Sequence, residues 1–284
     1  MTSTGTKLDP IIEKVRARAA ERRRKQPLAR LEEVVKPDSW RRERFLTALH
    51  GKNLAFITEM KRRSPSAGRL LEEPSDPRGS VTTRSPRPGP RWHALAESYL
   101  RGGAHALSVL TEEDHFEGTL DDLRAVEFTR LPRLRKDFIL DEGMVIESGL
   151  YGADALLLLP VILSDAELAT ARNVAREYGF AVLMEVHDEA ELERVLPLEP
   201  ELVGVNARDL KTLHVDLATV ERLLPLVPTG PKGPLRVAES GIKTADDLKR
   251  VRAAGADAVL VGETLVRAVD AAVELKQWRE ALGG

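Results

Sequence analysis

The chain has 284 residues, room for two small domains or for one (β/α)₈ barrel of ~250 residues. Hydrophobic residues make up 42% and charged residues 31%, a balance that excludes wholesale disorder. The net charge of −2 gives the whole chain no electrostatic case for nucleic acid. The absence of cysteine excludes disulfides, thiolate catalysis and cysteine-ligated metals.

Positions 1–10 are polar and lack the apolar core of a signal peptide, and no apolar run approaches the ~20 residues that cross a bilayer. The expectation is a soluble, cytoplasmic protein with no membrane partner. Residues 8–50 read as a helical N-terminal extension. Ile11, Val15 and Ala19 recur at four-residue spacing among Lys14, Arg16, Arg18, Arg22, Arg23, Arg24 and Lys25. A polyanion-binding helix is one reading of that charge. The favoured one is the solvated face of a helix that caps the rest of the fold.

From residue 54 onward short apolar runs alternate with amphipathic stretches. The runs at 54–60, 106–110, 134–139, 155–159, 181–186, 202–205, 235–239 and 258–261 predict eight buried parallel strands. Helices are predicted at 92–101, 119–127, 142–149, 164–178, 188–195, 216–226, 244–254 and 268–282. Ser164 with Glu167, and Asp188 with Glu191, have the spacing of a capping box. The stretch 72–90, EEPSDPRGSVTTRSPRPGP, has five prolines and no periodicity, which predicts a flexible inserted loop after the first strand.

The motif Gly-Ala-X-Ala opens three of the strands, at 103–106, 152–155 and 255–258. Its glycine suits a left-handed helix C-terminus. One helix-to-strand turn used three times argues for repeated βα units. The expected class is α/β, a (β/α)₈ TIM barrel forming one domain over 1–284, with an open doubly wound sheet as the alternative.

A barrel builds its site at the C-terminal ends of the strands. Polar residues collect there: Glu59 and Lys61 after strand one, Lys136 on strand three, Glu185 on five, Asn206 and Arg208 on six, Glu239 and Ser240 on seven. Convergent charges in a partly dry pocket suit acid–base chemistry. Gly241 follows strand seven, and Gly262 and Glu263 follow strand eight, where this fold cradles phosphate with backbone N–H groups. Glu263 is expected to offer only its N–H, its carboxylate turned away. The six histidines show no HxxxH or HxH spacing, and His187 reads as a satisfied rim residue. No metal site and no dinucleotide or Walker-type motif is expected.

These residues fall in ordered blocks: FITEMKRRSPSAG (56–68), LSVLTEEDHFEG (107–118), LRKDFI (134–139), MEVHD (184–188), GVNARDLKTLHVD (204–216), AESGI (238–242) and VGETL (261–265). The set resembles the indole-3-glycerol-phosphate synthases over roughly residues 8–284. The resemblance implies conversion of 1-(2-carboxyphenylamino)-1-deoxyribulose 5-phosphate to indole-3-glycerol phosphate with loss of CO₂ and water, without metal or organic cofactor. It implies Lys136 as general acid on the ketone, a role that asks for a lowered lysine pKa. Lys61 would hold the substrate carboxylate, and Glu185 and Glu59 would stabilise a cationic intermediate, one of them acting as base. Asn206, Arg208, Glu239 and Ser240 would shape the anthranilate end, with Phe138 against the ring. Ser64, Gly241, Gly262 and Glu263 would lie at the phosphate end.

Three departures stand out. Ala207 replaces the second Asn of an Asn-Asn-Arg-Asp-Leu pattern, Ala67 stands where the loop has Lys, and the loop after strand one is longer by roughly twenty residues. Other readings fit the bare residues: a Schiff-base aldolase using Lys61 or Lys136, a phosphoribosylanthranilate isomerase, or a non-catalytic binding barrel. The expected partner is a phosphorylated small molecule, and the expected state is a monomer.

Overall fold

The computed structural model describes residues 8–73, 88–230 and 233–283. Positions 74–87, most of the expected inserted loop, lie outside the described residues. Eight parallel strands close into a barrel: β1 (Ala55–Met60), β2 (Ala106–Leu110), β3 (Arg133–Lys136), β4 (Ala155–Leu158), β5 (Ala181–Val186), β6 (Leu202–Asn206), β7 (Leu235–Glu239) and β8 (Ala258–Val261). Each strand pairs with the next in sequence, and β8 closes on β1 through Ala55↔Ala258 and Ile57↔Leu260.

The Gly-Ala-X-Ala turns explain how neighbouring strands are pinned at the barrel floor. Gly103, Gly152 and Gly255 all take the left-handed conformation, with φ of 86°, 78° and 97°. The third residue of each turn then locks the preceding strand. Asp154 accepts the Arg133 N–H at 2.8 Å, Asp257 accepts the Arg236 N–H at 2.8 Å, and His105 Nδ1 accepts the Phe56 N–H at 3.0 Å. In return the His105 N–H donates to the Phe56 carbonyl at 2.9 Å.

Side chains alternate along each strand, and the register carries that alternation around the barrel. Glu59 is opposite Ser108, Leu110 opposite Lys136, Glu185 opposite Gly204, and Asn206 opposite Glu239. The uppermost charged positions therefore come from the odd strands: Glu59 from β1, Lys136 from β3, Glu185 from β5 and Glu239 from β7. This is the layering expected of a filled barrel, with apolar residues such as Ile57, Leu134, Leu183 and Val237 beneath.

The N-terminal extension forms α1 (Asp9–Lys25), α2 (Leu28–Val34) and α3 (Ser39–Leu49). Ile11, Ile12, Val15 and Ala19 of α1 are buried, as their spacing predicts. Arg18 pairs with Asp114, and Arg22 with Glu113 and, at 3.5 Å, Glu147, so α1 is tied to the segments after β2 and β3. Helix α3 works at the other end, where Arg44 reaches Asp154 at 3.0 Å.

The remaining helices are α4 (Pro90–Gly102), α5 (Leu120–Ala125), α6 (Glu142–Glu147), α7 (Asp165–Glu177), α8 (Glu189–Val195), α9 (Leu217–Leu223), α10 (Ala245–Ala253), α11 (Glu263–Arg267) and α12 (Ala271–Ala281). Most elements differ from the sequence reading by a residue or more at an end, and two of these shifts have a visible cause. Strand β3 ends at Lys136 rather than 139, because the Asp137 carboxylate takes the Thr111 hydroxyl at 2.6 Å, the Arg135 guanidinium at 2.9 Å and the Phe138 N–H at 2.9 Å. The helix expected at 268–282 starts later and is preceded by the separate short α11. Asp270 caps α12 by accepting the Ala272 N–H at 2.9 Å. Among the described residues no helix is long and apolar enough to cross a membrane.

Candidate active site

The chain after β1 is moored by a buried ion pair. Arg62 donates to Asp122 on α5 at 2.6 Å and lies over the Trp92 ring at 4.2 Å. The Tyr99 hydroxyl donates to the Glu59 carbonyl at 3.1 Å. A two-stranded ribbon of Arg63–Ser64 against Gly68–Arg69 follows. These ties hold Glu59 and Lys61 over the barrel mouth, where Lys61 Nζ sits 2.6 Å from Glu59 Oε1.

Across the mouth Lys136 Nζ donates to Glu185 Oε2 at 2.8 Å and lies 3.4 Å from Glu239 Oε2. Asn206 Nδ2 donates to Glu185 Oε1 at 2.8 Å, and Asn206 Oδ1 accepts the Arg208 N–H at 3.0 Å. Neither Glu239 oxygen receives a hydrogen bond from the described residues, although the side chain is 1% exposed.

Burial works against the Lys136 ammonium, but Glu185, Glu239 and Glu59 outweigh it and hold its pKa above the ordinary lysine value. This corrects the expectation of a lowered lysine pKa: the carboxylate cage keeps this lysine charged and holds its proton more tightly than an ordinary lysine does. Burial also opposes ionised Glu185, yet Lys136 and His187 pull its pKa well below the usual carboxylate range. Burial, then the Glu185 charge, push Glu239 well above that range. The two neighbouring carboxyls are thus pushed in opposite directions, the divergence that acid–base chemistry uses.

A cavity of about 740 Å³ opens over this layer. Of the residues singled out in the sequence, Glu59, Lys61, Lys136, Arg208, Glu239, Ser240, Gly241, Gly262 and Glu263 line it. Glu185 and Asn206 stand behind Lys136 through the contacts above. Ser64 and Phe138 are not among the lining residues. The Ser64 hydroxyl accepts the Ala67 N–H at 3.1 Å, and it is Ser66 that reaches the cavity. Phe138 packs on Phe116, with ring centroids 6.4 Å apart. Ala207 is buried and continues the backbone ladder, its N–H on the Glu239 carbonyl at 2.9 Å.

At the far end Ser240 and Gly241 take positive φ, 65° and 79°. Thr264 Oγ1 donates to the Ile242 carbonyl at 2.8 Å and joins the two loops. The Glu263 carboxylate accepts from Arg267 Nε at 3.3 Å. Sequence reading missed Leu213, Val215, Lys243, Thr264 and Arg267 in the lining. Leu213 follows a turn closed by Asp209, which accepts the Lys211 and Thr212 N–H groups at 2.7 and 2.8 Å; an Asx-turn signal was there to be read.

The sequence profile of the family described as indole-3-glycerol phosphate synthase matches residues 8–278. A protein of that name from Dehalococcoides mccartyi (strain CBDB1) is 40% identical over 260 residues, spanning 90% of this chain and 93% of its own. One from a Nocardioides species is 44% identical over 261 residues, 92% of this chain and 93% of its own. Among solved structures, 3-hexulose-6-phosphate synthase from Salmonella typhimurium superposes with a TM-score of 0.60 at 13% identity, covering 81% of this chain and 98% of that one. The tryptophan synthase alpha subunit from Legionella pneumophila does so with 0.56 at 14% identity, covering 86% and 98%. These two likenesses speak to the barrel alone; the near full-length sequence match speaks to the family. The chain belongs to the indole-3-glycerol phosphate synthase family.

Proposed function

We propose that the chain converts 1-(2-carboxyphenylamino)-1-deoxyribulose 5-phosphate to indole-3-glycerol phosphate, one CO₂ and one water, as a carboxy-lyase of tryptophan biosynthesis. The observation that carries this reading is the caged Lys136 ammonium, 2.8 Å from Glu185 and 3.4 Å from Glu239, on the wall of a cavity that also reaches Gly241, Gly262 and Glu263. Ring closure needs a proton delivered to a ketone oxygen as the aryl carbon attacks, and a positioned ammonium supplies it. The cation that ring closure creates gains from Glu185 and Glu59 nearby and regains its aromatic ring by losing CO₂; as water then leaves, one of the two takes a proton from the former C1′ methylene to complete the indole.

Lys61 holds the substrate carboxylate until CO₂ leaves, then serves the dehydration. Arg208, Ser240, Asn206 and Glu239 shape the anthranilate end. Phe138 stands behind the ring from its packing on Phe116, and Ser64 supports the loop rather than touching phosphate. The phosphate lies against the amides of Gly241, Gly262 and Glu263. The chemistry runs on these side chains with no metal and no organic cofactor, in a cytoplasmic monomer. The test is to mix the purified protein with the substrate in metal-free buffer and follow indole emission together with CO₂. One CO₂ per indole supports the reading; a folded protein that gives neither overturns it.

A further inference from the structure

Glu185 meets a basic side chain at each oxygen, and only one of the two lines the cavity. Lys136 holds Oε2. On the other side Oε1 takes the Asn206 amide at 2.8 Å and faces His187 Nε2 at 3.3 Å, an oblique ion-pair approach. The second ring nitrogen, His187 Nδ1, lies 3.0 Å from Glu191 Oε2, which also accepts the His187 backbone N–H at 2.8 Å. The His187 side chain is 11% exposed and that of Glu191 12%.

An ionised carboxylate offers only lone pairs, so the ring donates from Nδ1 to Glu191; Nε2 makes no hydrogen bond among the described residues, and a proton there would face Glu185 as an ion pair. The local fold provides the second carboxylate. Asp188 caps α8 by accepting the Glu191 N–H at 2.9 Å, as the sequence spacing predicts. The Glu191 carboxylate does not return the bond to Asp188 in a reciprocal box. It reaches back to His187 instead.

We propose that His187 is a positioning residue: its imidazolium, anchored by Glu191, fixes the Glu185 carboxylate against Asn206 and Lys136 and keeps it charged. This rests on the reading of Glu185 as part of the reaction centre. The charged groups facing the ring are Glu185 from β5 and Glu191 from α8, with Lys136 of β3 and Glu239 of β7 on the far side of Glu185. In keeping with that geometry, burial lowers the His187 pKa but the two carboxylates override it and lift it to about 10.

The first test needs no turnover. Histidine-labelled protein is followed by ¹⁵N NMR, with the His187 ring assigned by its loss in His187→Gln. The ring is expected to stay doubly protonated at pH 8, where an ordinary histidine is neutral; a neutral tautomer there overturns the proposal. The second compares pH–rate profiles. In His187→Gln the acid limb of kcat/KM is expected to move up by about one pH unit, since Glu185 loses a neighbouring cation. kcat is expected to fall roughly tenfold or more, with KM changing less. Glu191→Gln should shift the limb in the same direction. A folded His187→Gln protein with wild-type kcat and an unmoved acid limb contradicts the proposal. Failure of the wild type to turn over would sink the reaction reading while leaving the NMR result to stand.

Discussion

Gly204 on β6 leaves the space that the Glu239 carboxylate of β7 fills: a methyl group at position 204 would sit 2.1 Å from Glu239 Oε1 and 3.1 Å from Leu183 Cδ1. Gly262 does the same for Glu59, whose Oε1 would be 2.4 Å from an added Cβ. The charged layer thus depends on two glycines, of which Gly204 lies outside the cavity lining. Gly204→Ala is expected to cost about 1–3 kcal/mol of stability through overpacking. Displacement of Glu239 should lower kcat by roughly a hundredfold. Urea unfolding and steady-state kinetics on the same preparation check both; a folded variant with wild-type kcat would show that Glu239 has room to spare.

How much of this was legible in the sequence follows from which signals are local. The eight strands show because each is a run of buried residues, and the three Gly-Ala-X-Ala turns show because the left-handed glycine is written in the chain. The carboxylates and lysines of the mouth were legible from their places at strand ends. The short α11 was not, since five residues carry no helical period, although Asp270 as a cap of α12 could have been read. The ends of β3 and of the α8 cap were set by partners elsewhere: Thr111 and Arg135 for Asp137, His187 for Glu191. The raised pKa of Lys136 was equally out of reach, because it needs four strands brought together.

The His105 turn makes stability depend on acid. Its ring nitrogen accepts the Phe56 N–H, and its pKa is lowered to about 4, first by burial and then by the charges of Arg279 and Lys52. A depressed folded-state pKa means that the unfolded chain binds the extra proton. The contribution is therefore full above about pH 6.5 and lost as pH falls toward 4. Urea midpoints measured from pH 7.5 to 4.5 should fall less steeply for His105→Gln than for wild type. Parallel slopes would remove His105 from the acid response.

Arg62 and Asp122 form a pair whose two side chains are 2% and 0% exposed. Arg62→Ala leaves a buried carboxylate without its cation and is expected to cost about 3–5 kcal/mol. The same change should loosen the chain after β1 and raise KM. A loss below 1 kcal/mol in urea unfolding would mean that the pair is not an anchor.

A caged ammonium is a poor amine nucleophile. Borohydride added with substrate is therefore expected to trap no adduct on Lys136 or Lys61, read by mass spectrometry of the intact chain. A mass increase mapped to either lysine would turn the reading toward Schiff-base chemistry.

The most direct test of the account is the rate of indole emission from 1-(2-carboxyphenylamino)-1-deoxyribulose 5-phosphate for wild type and Lys136→Ala, with circular dichroism to verify the fold. Loss of the general acid predicts a fall in kcat of about 10²–10⁴-fold with the barrel intact. A folded Lys136→Ala protein that keeps its rate within about tenfold of wild type, less than a general acid typically contributes, would contradict it.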